Sequence, residues 1–157
     1  MIRKKNLWTM KKIFSMIAAL MVLTACELHT SDNGDLDGFW QLTQMDTLST
    51  NRSGDVRSMK IFWAVQGDML EMRDLHTYDV EEQHEMLNFR FRLEQGRLYL
   101  TEPIANDRDI SDSIVTSTAT VAFYGLSRTD EVLDVVQLSA EKMTLQTELY
   151  RMYFRKY

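Results

Sequence analysis

The densest group of chemically capable side chains lies in HTYDVEEQHE, where His76, Asp79, Glu81, Glu82, His84 and Glu85 crowd together. Imidazoles beside carboxylates can hold zinc. The compact helical form of such a site needs two histidines one turn apart with a glutamate after the first, whereas His84-Glu85 runs straight into Met86-Leu87-Asn88. These charges therefore read as a solvated loop between two strands, and no metal is expected. Asp107, Asp109 and Asp112 have the alternation of a calcium loop, but Ser111 and a missing glycine break that pattern. No serine sits in a nucleophile elbow, and no glycine-rich loop is present to cradle phosphate. Asn51-Arg52-Ser53 is a glycosylation sequon only in a eukaryotic secretory path. The remaining carboxylate pairs fall on polar loops, so neither an enzymatic reaction nor a cofactor is expected.

The chain has one cysteine, Cys26, and its surroundings explain it better than catalysis does. Arg3, Lys4, Lys5, Lys11 and Lys12 precede it without a single acid. The apolar run Ile13 to Leu23 is about eleven residues, short of the roughly twenty that a helix needs to cross a bilayer. A basic start, a short apolar middle and the small residues Thr24-Ala25 describe a cleaved secretory signal over residues 1–25. Leu23-Thr24-Ala25-Cys26 resembles the lipobox of bacterial lipoproteins. That resemblance implies diacylglycerol on the Cys26 sulfur, cleavage before it and acylation of the new amino terminus. Two or three acyl chains anchor stably, since each buried methylene contributes about 0.8 kcal/mol. Lipidation also leaves no thiol for a disulfide, a metal or a nucleophile.

Glu27 follows the cysteine, where inner-membrane retention in such lipoproteins often uses aspartate. The resemblance thus implies the outer membrane, on its periplasmic face or at the cell surface. Residues 26–37, with Asp32, Asp35 and Asp37, read as an acidic flexible tether that could stretch to roughly 40 Å. Removing residues 1–25 takes away five of the eighteen basic residues and none of the twenty-three acids, leaving a net charge of −10. Such a surface repels phosphate backbones and anionic headgroups. Nucleic acid is excluded as a partner, and the membrane is met through the lipid.

Residues 38–157 must then supply one domain, and their dominant period is two. Leu87, Phe89, Phe91 and Leu93 alternate with polar neighbours, Gln95-Gly96 turns the chain, and Leu98 and Leu100 resume the alternation. Met59, Ile61, Trp63 and Val65 share a face against Lys60, Phe62 and Gln66, and Gly67-Asp68 turns into a strand carrying Leu70 and Met72. Val132 to Leu138, Lys142 to Thr147 and Leu149 to Phe154 read as three further strands. Thr116 to Tyr124 fits a short helix or an extra strand, ended by Gly125. With Phe39 to Met45, about eight consecutive antiparallel strands each carry one apolar face. They cover those faces most economically as an all-β, up-and-down barrel.

Gly38-Phe39-Trp40 resembles the G-x-W signature that opens the first strand of lipocalins. FYGL at Phe123 to Leu126, VVQLSAEKMTLQT at Val135 to Thr147 and YRMYFRKY at Tyr150 to Tyr157 are similar to the end of small bacterial lipocalin-like lipoproteins. The resemblance implies that Trp40 closes the barrel floor, with Arg151 or Arg155 from the last strand stacked upon it. An eight-stranded barrel either fills with its own side chains or holds one small ligand. Trp63, Met72, Phe89, Phe91, Met152 and Phe154 are the inward candidates for either outcome. The expected function is binding of a small apolar or amphipathic ligand at the open end. The alternative is a filled barrel that docks a protein or glycan partner at the cell envelope.

Overall fold

Each alternating stretch becomes a strand. The computed structural model describes residues 31–75, 84, 86–105 and 113–157. A 3-10 turn, Gly34–Leu36, leads into β1 (Gly38–Thr47), followed by β2 (Arg52–Asp55), a second 3-10 turn (Arg57–Met59), β3 (Ile61–Gln66) and β4 (Met69–Asp74). After these come β5 (Leu87–Glu94), β6 (Arg97–Ala105), the two-residue β7 (Ser113–Ile114), the helix α1 (Thr118–Ala122), β8 (Glu131–Leu138), β9 (Lys142–Gln146) and β10 (Tyr150–Lys156). The strand order β1-β3-β4-β5-β6-β8-β9-β10 is closed by β10 pairing back onto β1. Eight antiparallel strands thus form a barrel without a free edge, while β2 and β7 are side branches on β1 and β6.

The inner faces follow the expected alternation. Ile61, Trp63 and Val65 of β3 point inward beside Leu70 and Met72 of β4, Leu87, Phe89 and Phe91 of β5, and Leu98 and Leu100 of β6. Gly67 and Gly96 take positive φ in their hairpin turns, as expected. The segment from Thr116 resolves as the helix α1, and Gly125 follows with φ +88°. Val121, Tyr124 and Leu126 turn from it into the core cluster.

Three local expectations change. Met59 does not extend β3, because Lys60 adopts a left-handed conformation (φ 48°) and separates the 3-10 turn from the strand. Phe62 points outward as expected but is buried, since Phe39 stacks on it at 4.7 Å and Tyr157 meets it edge-on at 5.4 Å. Residues 31–37, expected to belong to a free tether, are instead held against the barrel. Leu36 is fully buried in the core cluster, Asn33 Nδ2 donates to the Gly67 carbonyl at 2.7 Å, and Lys156 Nζ donates to the Asp35 carbonyl at 2.9 Å. One buried leucine and two hydrogen bonds hold this otherwise polar run under the barrel. The folded unit accordingly begins at Ser31.

Candidate functional site

Trp40 stands at the base of the barrel and is fully buried. Its indole Nε1 donates to the Leu36 carbonyl at 2.8 Å, so the 3-10 turn seals that end. The cation on the indole is Lys156, with Nζ 4.6 Å from the ring centroid, rather than Arg151 or Arg155. Strand parity is the reason. Met152 and Phe154 face inward on β10, so Lys156 shares their face and pairs with Trp40, while Arg151 and Arg155 face outward. Arg151 instead donates to Gln146 Oε1 at 2.7 and 2.9 Å, and Arg155 is exposed.

The six inward candidates, Trp63, Met72, Phe89, Phe91, Met152 and Phe154, are all buried in one cluster. Trp63 and Phe154 pack with ring centroids 4.9 Å apart. The segment after α1 packs against this cluster, where Gly125 comes so close to Met152 that a Cβ would lie 2.5 Å from its sulfur. Ser127 then ties the chain to the buried carboxylate of Glu131, donating from its backbone N–H at 2.9 Å and its hydroxyl at 2.6 Å. Among the described residues, Trp63 Nε1 is the only buried side-chain nitrogen or oxygen without a hydrogen-bond partner.

Most of HTYDVEEQHE, and Asp107, Asp109 and Asp112, lie outside the described residues. His84 is described, and its Nδ1 lies 3.1 Å from Asp74 Oδ2 while its ring stacks on Phe123. No group of three metal-ligating side chains is found among the described residues.

On the outer wall, a groove of about 500 Å³ crosses β1, β10, β9 and β8. Register sets two outward rows along it. One runs Gln44, Tyr153, Thr144, Gln137, and the other places Gln41, Arg155 and Lys142 side by side. Asp55 and Arg57 form one bank, held over β1 by the Val56 N–H donating to the Thr43 carbonyl at 3.1 Å. Arg57 binds Asp55 in a bidentate pair, Nε donating to Oδ1 and Nη2 to Oδ2. A second hollow of about 550 Å³ lies between β6 and Thr129-Asp130.

The bank gives a direct test of its electrostatics. The Arg57 side chain, then its backbone N–H, donate to Asp55 and hold its carboxyl down to about 2 from an ordinary 3.8. A lowered folded-state pKa favours the native bank above about 3.8, and that contribution is lost as pH falls through about 2. The Asp55 carboxyl carbon followed by NMR should titrate near 2 in the native protein, and in Arg57→Gln its midpoint should move back toward 3.8.

A family model for a lipocalin-like domain matches residues 21–157. The chain belongs to the lipocalin-like domain family. Two crystal structures share this fold. A lipocalin-like protein from Bacteroides uniformis superposes with a TM-score of 0.59 at 18% identity, covering 79% of this chain and 100% of the other. An uncharacterized protein from Bacteroides eggerthii gives 0.58 at 21% identity, covering 77% and 98%. No curated protein matches the sequence. Within this lipocalin-like barrel the sequence finds the inner wall and the floor tryptophan but misses Lys156 and the outer groove. The signal for Lys156 is present, because it continues the Met152, Phe154 parity.

Proposed function

We propose that this lipocalin-like protein is an outer-membrane lipoprotein, anchored through Cys26, that works through the outer wall of a side-chain-filled barrel. It docks a protein or glycan partner at the cell envelope and performs no reaction of its own. Support for a filled barrel comes chiefly from Tyr124, a large side chain that the segment after α1 carries fully buried into the core cluster. Leu36 and Trp40 add a sealed floor at the other end. The anchor rests on Leu23-Thr24-Ala25-Cys26 and the basic, apolar lead before it. With a mature net charge of −10, nucleic acid is not a partner.

A second reading keeps a small apolar or amphipathic ligand inside the barrel, and one observation favours it. Trp63 Nε1 is buried without an acceptor, which costs about 1–3 kcal/mol unless something supplies one. Native mass spectrometry of the full chain, extracted in mild detergent, separates the two readings. The first expects the lipidated chain alone. A stoichiometric small molecule that Trp63→Phe removes would sink it and establish the second. In the same cells, Cys26→Ser should abolish incorporation of labelled palmitate and release the chain from the membrane fraction; retention of both would remove the anchor from the proposal.

A further inference from the structure

The outer groove contains a charge arrangement that the fold does not resolve by itself. Arg155 and Lys142 are directly opposed across β10 and β9, both exposed. Like charges facing each other in a cross-strand pair are destabilising. Neither has an ion-pair partner among the described residues. The next outward cation on the same strand shows the ordinary solution. Arg151 lies opposite Asp46 on β1, whose carboxyl is held below its usual range chiefly by a Gln44 hydrogen bond and least by the Arg151 charge, and its guanidinium bonds Gln146. Arg97, on β6, is likewise matched by Asp134. In a domain where acids outnumber bases by ten after residue 25, two adjacent cations without an acid are an exception.

The backbone carries a second, independent sign. Both edges of the groove are shaped by bulges, one between Leu42 and Gln44 of β1 and one between Val135 and Gln137 of β8. Bulges concentrate at barrel rims and beside binding sites, where they re-aim side chains. Here they set Gln44 and Gln137 at opposite ends of the uncharged row, with Tyr153 and Thr144 between them. With the Asp55–Arg57 bank included, the groove spans about four strand spacings, or roughly 19 Å. The Arg57 charge is taken up by Asp55, so Lys142 and Arg155 set the sign of the groove.

We propose that this groove binds an acidic saccharide. Its carboxylate or sulfate sits between Lys142 and Arg155, and its hydroxyl groups lie along Gln44, Tyr153 and Gln137. Arginine offers a planar fork and lysine a point charge to the oxyanion. Gln137 can donate and accept as a sugar hydroxyl requires, while Gln44 Nε2 and the Tyr153 hydroxyl donate to Asp46 and offer their oxygens as acceptors. A volume of about 500 Å³ suits one or two sugar rings within the usual range for small-molecule sites. The proposal deepens the reading that the outer wall is the working surface, and it identifies the glycan partner by its charge.

The full chain in non-ionic detergent should be titrated calorimetrically with glucuronate, glucose 6-sulfate, glucose and inorganic sulfate. Saturable binding of either acidic sugar, tighter than glucose or sulfate alone, supports the proposal, and the tighter of the two identifies the oxyanion. Lys142→Gln and Arg155→Gln should each weaken that binding about tenfold or more, as expected for a lost charged hydrogen bond. Lys142→Arg should retain it, and Arg151→Gln should leave it unchanged. All three positions face outward, so an unaltered circular dichroism spectrum verifies folding. No saturable binding of either acidic sugar, or equal affinity in Arg155→Gln, overturns the saccharide site. Sulfate binding as tightly as glucose 6-sulfate also overturns it, leaving a simple anion site. None of these outcomes depends on whether the barrel interior is filled, which the native mass measurement decides separately.

Discussion

Replacing Trp40 with alanine is expected to lower stability by about 3–5 kcal/mol, read as a fall in the urea midpoint at unchanged slope. The indole is fully buried, and removing it opens a void between the Leu36 turn and the barrel base. The loss has separable parts. Trp40→Phe retains most of the apolar burial but leaves the Leu36 carbonyl without its indole donor, at a cost of about 1–3 kcal/mol. Lys156→Met keeps the stem and removes both the cation above the ring, worth about 0.5–1 kcal/mol, and the exposed hydrogen bond to the Asp35 carbonyl. Arg151→Met and Arg155→Met leave the ring's cation in place and should not reproduce that loss. If Arg155→Met destabilises the floor as Lys156→Met does, the parity assignment of β10 is wrong.

Gly125→Ala is the second large expected effect, about 2–4 kcal/mol by the same measurement. Two causes contribute. A φ of +88° is strained for any residue with a Cβ, at roughly 1–2 kcal/mol. The added methyl would also stand 2.5 Å from the Met152 sulfur and 3.6 Å from the Met45 methyl, and overpacking of this kind costs about 1–3 kcal/mol. Gly96→Ala is the matched control, because Gly96 has φ +75° and nothing within 4 Å of the Cβ position. The difference between the two variants isolates the packing of the segment behind α1 against the core. Equal losses would mean that this end of the barrel yields easily, as an entrance for a ligand must.

Much of the barrel is legible because the pleat turns chemistry into alternation. Phe89 and Phe91 against Arg90 and Arg92 can form only a half-wet strand, and Gln95-Gly96 can only turn it. The deviations are legible too, though less plainly. Leu42 to Met45 and Val135 to Leu138 are spacings of three in strands of period two, all four side chains reach the core, and a bulge lies within each interval. Leu36 is harder to read, because one apolar residue in SDNGDLD establishes no period. The outer groove is harder still. Its residues come from separate strands and meet only through register, which is set by pairings that no single segment encodes. Hydrophobic periodicity describes the face that water leaves, whereas the groove is built on the face that water keeps.

Closing β10 onto β1 also constrains the order in which the molecule can form. The Thr43 hydroxyl donates to the Tyr153 carbonyl across 110 residues, and the Tyr157 N–H returns to the Phe39 carbonyl at 2.8 Å. The first strand of the barrel therefore waits for the last. The seam cannot close before β10 is available to pair with β1, and such non-local pairings make folding slow. Loss of residues 150–157 should thus expose the β1 and β9 edges at once and convert a closed barrel into an aggregating sheet. In this protein the stretch YRMYFRKY acts as a latch, because the barrel closes only where β10 pairs with β1.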